Sequence, residues 1–128
     1  MSQQLAQQFM DALHGLEERG DIDTLVARYT EDATLLNVNL PEPLEGIAGV
    51  RKFWEDYRSL FSEIHSEFYN TIIEEGKAAL EWTGRGKLAA TGEPFEYDGI
   101  TVLIFRDGKV AEFRGYFDQL ALTKRVEV

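Results

Sequence analysis

The stretch near the C-terminus concentrates residue types that could do chemistry. If Lys109–Phe117 is a strand, alternation sets Glu112, Arg114, Tyr116 and, one step on, Asp118 on one face, with Ala111, Phe113, Gly115 and Phe117 on the other. A polar set in register makes sense where that face lines a pocket or meets solvent, not where it packs in a dry core. A carboxylate such as Asp118 held against apolar walls has its pKa pushed up and can take a proton from an acidic C–H or O–H. A neighbouring Arg114 opposes that shift by favouring the charged form, and its guanidinium can bind an enolate or carboxylate oxygen. The plain alternatives are that Asp118 caps a helical turn over residues 119–122 and that Arg114 pairs with a nearby acid. Asn37 can hydrogen-bond a ligand from a pocket wall or serve as a turn-side amide. Tyr29, Trp54, Tyr57, Trp82 and Tyr97 supply aromatic walls with polar tips, although helical spacing suits Trp54 and Tyr57 to a core better than to a ligand platform. Trp82 shares a strand face with Leu80 and Gly84. Opposite it Glu81, Thr83, Arg85 and Lys87 form a solvated or dimer-facing row, unless a bulge at Gly84–Gly86 turns Arg85 inward.

Other chemistries find little support. The two histidines, His14 and His65, are far apart and lack His-x-His or His-Glu-x-x-His spacing, so no metal site is expected; His14 reads as a helix-surface residue and His65 as a rim or solvated loop residue. Gly84-x-Gly86 lacks the third glycine of a dinucleotide loop, and no Gly-x-Ser-x-Gly occurs. No cofactor is expected. The absence of cysteine removes thiolate catalysis and cysteine-bound zinc. A net charge of −10 argues against nucleic acid and against anionic membranes as partners. No apolar run approaches a membrane span and no signal peptide is evident, so a cytoplasmic location is expected.

The elements that must position these residues change character halfway along the chain. Leu5, Phe9, Leu13 and Leu16 mark one face of a helix over residues 3–18, with Gly20 as its stop. Asp21 or Asp23 can cap a short second helix through Leu25, Val26 and Tyr29. Ala33–Asn39 reads as a strand, Pro41 and Pro43 impose a loop, and Val50, Phe53, Trp54, Tyr57, Leu60 and Phe61 mark a helix from Ile47 to Leu60, with Lys52–Asp56 and Arg51–Glu55 pairs outside. Four strands follow, at 68–75, 77–90, 95–106 and 109–117, with hairpin turns at Gly76 and at Asp107-Gly108 and a longer turn at Thr91-Gly92-Glu93-Pro94. Helices followed by a meander make an α+β plan, in one domain over residues 1–128, with a concavity between sheet and helices. Both faces of 100–105 are apolar, which predicts a homodimer packed through the outer sheet face.

The segments Leu80-Glu81-Trp82-Thr83-Gly84-Arg85-Gly86, Thr91-Gly92-Glu93-Pro94, Gly99-Ile100, Phe105-Arg106-Asp107-Gly108-Lys109-Val110-Ala111-Glu112 and Tyr116-Phe117-Asp118 come in the order found in the SnoaL-like polyketide cyclases. Asp21-Ile22-Asp23, Tyr29-Thr30-Glu31-Asp32-Ala33-Thr34 and Gly46-Ile47-Ala48-Gly49-Val50-Arg51-Lys52-Phe53-Trp54 are similar to the N-terminal half of the wider nuclear transport factor 2-like, ketosteroid-isomerase-like superfamily. The resemblance covers nearly the whole chain. It implies a cone, a strongly bent mixed sheet wrapped by about three helices, with a pocket at one end and commonly a homodimer. It also implies an acid/base role for Asp118 and places the polar face of the last strand inside the cone. Arg114 departs from the aromatic residue common at its position. The isomerase roles fall on Phe9, Asn37 and Thr101, which supply neither the phenol, the carboxylate base nor the carboxylic acid that steroid isomerisation uses. Family members differ in activity, so the site must decide function. Two readings follow. One is a cofactor-independent acid/base enzyme of cyclase, isomerase or hydrolase type acting on a small apolar carbonyl compound, with Arg114, Tyr116 and Asn37 as binding groups. The other is a non-catalytic dimeric ligand-binding or scaffold domain with a vestigial pocket.

Overall fold

The computed structural model describes residues 1–119. Three helices, α1 (Ser2–Arg19), α2 (Ile22–Val26) and α3 (Gly46–Ser59), combine with six strands, β1 (Tyr29–Asn37), β2 (Leu44–Glu45), β3 (Phe61–Glu74), β4 (Lys77–Leu88), β5 (Pro94–Arg106) and β6 (Lys109–Phe117). The strands form one mixed sheet in the order β2-β1-β6-β5-β4-β3. Among the described strands only β1 and β6 run parallel; the meander β3–β6 that follows α3 brings its last strand beside β1. The sheet curls around α1 and α3 without closing, an α+β cone.

The stops and turns follow local chemistry. Gly20 takes φ 69°, and the amides of Gly20 and Asp21 reach back to Leu16 and Gly15, a left-handed cap that ends α1. Asp21, not Asp23, caps α2, accepting from the amide and hydroxyl of Thr24; these two bonds hold its carboxyl below the usual range. Asp107 and Gly108 both have positive φ, 54° and 74°, the two-residue turn whose twist suits the β5–β6 hairpin. The Lys52–Asp56 pair forms at 3.0 Å, but Arg51 reaches Asp23 at 2.9 Å instead of Glu55.

Two strands are longer than their patterning suggests. β1 begins at Tyr29, and β3 begins at Phe61, immediately after α3. Phe61 and Ile64 are buried in a satellite cluster with Tyr97, which extends the inner face of β3 past Phe68. The bulges near this end lie in β3, at 61–63 and 68–70, while β4 stays in continuous register with β5. Gly86 serves the β3 bulge: a Cβ there would stand 1.9 Å from the Glu63 carbonyl oxygen. With no bulge in β4, parity holds; Arg85 stays on the outer face, bonded to Glu67 and Glu96.

The main core lies between α1, α3 and the sheet and includes Phe9, Leu13, Leu16, Leu25, Tyr29, Leu35, Val50, Trp54, Leu80, Leu103 and Phe113. Burying aliphatic and aromatic side chains of this size contributes about 1.5–3 kcal/mol each.

Candidate functional site

The inner face of the sheet and the facing sides of α1 and α3 enclose a cavity of about 320 Å³, in the range of small-molecule sites. Eight aromatic residues stand in its walls: Phe53, Trp54 and Tyr57 from α3, Phe61, Trp82 and Tyr97 from β3–β5, and Phe113 and Phe117 from β6. Two glycines make room for two of these rings. Trp82 pairs with Gly99 and Tyr97 with Gly84 across the β4–β5 ladder. A Cβ on Gly99 would lie 2.4 Å from the Trp82 ring, and one on Gly84 would lie 2.7 Å from the Tyr97 ring. Each aromatic ring thus lies over the bare backbone opposite and forms the wall.

The polar groups of this space are few. The Trp82 indole donates to the Thr101 hydroxyl at 3.0 Å. Tyr97 lines the cavity and is buried, yet its hydroxyl has no hydrogen-bond partner among the described residues. Burial, and secondarily the Glu17 carboxylate, raises its pKa above the ordinary value, so it stays a neutral donor. Asn37 lines the cavity; its Oδ1 accepts from the Asn39 amide at 2.9 Å, so the turn role and the wall role coexist. Lys52 and Asp56 sit at the rim, paired with each other.

Behind the cavity is a residue that the sequence reading passed over. Glu17, 3% exposed, accepts from the Ser66 amide at 2.8 Å and from the hydroxyls of Ser66 and Tyr57 at 2.6 Å each. The signal was present: Phe9, Leu13 and Glu17 are spaced by four, so an acid stands on the apolar stripe of α1. Burial and the Glu17 charge both push the Tyr57 phenol well above its ordinary pKa.

Of the residues expected at the site, Asn37, Trp54, Tyr57, Trp82 and Tyr97 line the cavity. Tyr29 does not. It is 1% exposed in the core, where its hydroxyl accepts from the Trp54 indole at 3.1 Å and fixes that ring. The face assignment of the last strand is reversed. Phe113, Gly115 and Phe117 point into the cavity, and Arg114 and Tyr116 lie on the outer face. Alternation shows which residues share a face but not which face is inside; the apolar set goes in, because burying Glu112 and Arg114 would strip both of hydration. These two pair on the outer face. Asp118, just past the strand, is exposed and is not among the described lining residues; its amide donates to the Asp98 carbonyl at 3.1 Å. The alternative reading, in which Asp118 caps a turn over residues 119–122, falls from residue 120 on outside the described residues. Of the isomerase positions, Asn37 and Thr101 reach the cavity, and Phe9 is a core residue against Trp54 and Phe113.

The histidines, distant in sequence, meet in space. His14 and His65 stack with centroids 5.0 Å apart and planes 13° from parallel, and His14 Nε2 lies 2.7 Å from the Ser66 carbonyl oxygen. Donor atoms of His14, Glu17 and His65 fall within 4.8 Å of one another. This arrangement does not fit a metal ion. Imidazole lone pairs lie in the ring plane, so near-parallel stacked rings do not aim at one point, and both Glu17 oxygens are already engaged.

The fold is widely shared among solved structures. A nuclear transport factor 2-like protein from Anabaena variabilis ATCC 29413 superposes with a TM-score of 0.80 at 19% identity, over 91% of this chain and 89% of that one. TerC, crystallised with polyporic acid, gives 0.78 at 16% identity over 94% of each chain. A protein of ketosteroid isomerase-like fold from Catenulispora acidiphila DSM 44928, in complex with trimethylamine, gives 0.78 at 12% over 89% of this chain and 88% of that one. No curated protein matches the sequence significantly. The SnoaL-like domain family matches residues 6–113, and with its cone and inner cavity in place the chain belongs to that family.

Proposed function

We propose that this protein binds a small, largely apolar carbonyl compound in the cone cavity. The observation that carries this reading is the Tyr97 hydroxyl: a neutral donor, without a partner among the described residues, set in an aromatic wall. The hydroxyl opens onto the cavity with its hydrogen uncommitted, so a ligand carbonyl oxygen can accept from it. That two proteins of this fold are recorded with small molecules, polyporic acid in one and trimethylamine in the other, is consistent with a ligand here. Binding is preferred to acid/base turnover because, among the described lining residues, the one carboxylate is Asp56, held by Lys52. The test is a thermal-shift and calorimetric titration with 2-acetonaphthone against naphthalene. Tighter binding of the ketone, with the advantage lost in Tyr97→Phe, is expected; failure of both compounds to bind at millimolar concentration refutes the reading.

We also propose a homodimer through the outer sheet face. Ile72, Ala79 and Val102 stand in one registered row that runs on to Arg114, and Ile100 and Tyr116 stand in another that runs on to Glu81; Ile72 and Tyr116 are exposed there. Apolar residues in contiguous rows on an exposed sheet face mark an interaction surface. A monomer in sedimentation at micromolar concentration overturns this proposal.

A further inference from the structure

An ionised carboxylate only accepts hydrogen bonds, so a hydroxyl bonded to one must turn its single hydrogen toward it. Glu17 takes the hydrogens of both the Tyr57 and the Ser66 hydroxyls, each at 2.6 Å on Oε2. Both residues line the cavity, and what their oxygens have left to offer it is lone pairs. The β4–β5 wall is the opposite case. Thr101 Oγ1 accepts from the Trp82 indole at 3.0 Å, which leaves its own hydrogen for an acceptor, and among the described residues neither Thr101 nor Tyr97 donates its hydroxyl hydrogen to a protein group. The hydroxyls around the cavity are thus sorted by role, with acceptors on the side backed by α1 and donors on the sheet wall.

We propose that Glu17 sets this donor–acceptor polarity, and that the ligand is an apolar molecule carrying a hydroxyl or N–H group directed at Tyr57 and Ser66 together with a carbonyl oxygen directed at Tyr97 and Thr101. The assignment rests on the cavity reading above and narrows it from a carbonyl compound to a hydroxy- or amino-carbonyl compound. Glu17 itself does not line the cavity; it is a positioning residue that acts through two hydroxyls. Its third bond, from the Ser66 amide on Oε1 at 2.8 Å, holds the carboxylate against β3 and fixes which oxygen faces the hydroxyls.

The experiment compares 2-naphthol with 2-methoxynaphthalene, which share the ring system and differ in the donor. Isothermal titration should show the parent protein binding the naphthol roughly tenfold more tightly, the worth of one hydrogen bond with its buried acceptor otherwise unpaired. Glu17→Gln places an amide N–H₂ beside the hydroxyls, releases at least one hydroxyl hydrogen toward the cavity, and should bring the ratio toward one. Tyr57→Phe and Ser66→Ala each remove one acceptor oxygen and should lower the ratio while Glu17 stays, which keeps the test decisive if Glu17→Gln does not fold. A structural role alone would weaken both compounds together and leave the ratio unchanged. If neither compound binds the parent, the cavity reading fails and this assignment with it. If both bind the parent equally, or the preference survives all three substitutions, the cavity reading stands and the assigned polarity is overturned.

Discussion

Gly99→Ala is the sharpest probe of how the aromatic wall is built. Gly99 is not among the glycines with positive φ, so alanine meets no backbone strain there. The cost is contact alone. The new Cβ would stand 2.4 and 2.6 Å from two Trp82 ring carbons and 2.7 Å from the Tyr116 carbonyl oxygen. Trp82 can move only by giving up its bond to Thr101, and the Tyr116 carbonyl belongs to the β5–β6 ladder. Overpacking of this kind costs about 1–3 kcal/mol, offset by roughly 0.4–1 kcal/mol from the reduced freedom of the unfolded chain. The expected net loss is about 1–2 kcal/mol, or roughly 4–8 °C in Tm for a domain of this size. Gly84→Ala is the control. Its nearest atoms, from 2.7 Å, all belong to the Tyr97 side chain, which can swing toward the cavity, so it should cost less stability. Urea unfolding gives the free energies, and near-ultraviolet circular dichroism reports the Trp82 environment. A Gly99→Ala protein within about 0.5 kcal/mol of the parent, the range of a neutral surface change, with an unchanged aromatic spectrum would refute ring-over-glycine packing.

Three further outcomes are expected. Burial raises the phenols of Tyr29, Tyr57 and Tyr97 above their ordinary value of 10.0, so the stability they contribute is complete below that pH and is lost as pH rises beyond it; in an alkaline absorbance titration these three should ionise together with unfolding, and their smooth ionisation in the folded protein would contradict the placement. Glu17→Leu strands the Ser66 amide and two hydroxyls, and should lower the unfolding free energy by roughly 2–3 kcal/mol in urea titration. Gly108→Val forces a β-branched residue to φ 74° and should cost about 1–2 kcal/mol, whereas Asp107→Asn should be nearly neutral, both read by thermal unfolding.

Features set by neighbouring residues were legible in the sequence. The 3.6 period of Phe9, Leu13 and Leu16 marks α1, glycine at the left-handed cap ends it, and Asp107-Gly108 defines a hairpin, because helix faces, caps and tight turns depend on a few adjacent side chains. The same local rule set Glu112, Arg114 and Tyr116 on one strand face and Phe113, Gly115 and Phe117 on the other. Which face points inward was decided by the helices packed against the sheet, and there the cost of burying charge prevailed over the expectation drawn from resemblance. Tertiary structure alone also stacked His14 on His65, residues 51 positions apart. It gave the acid on the α1 stripe its partners: Glu17 reads as an anomaly until β3 and α3 deliver Ser66 and Tyr57 to it. Local patterning set the helices, their caps, the hairpin turns and the residues that share each face, but not where β1 and β3 begin; the curling of the sheet around two helices decided which of those faces became a cavity, because only packing between distant segments removes a surface from water.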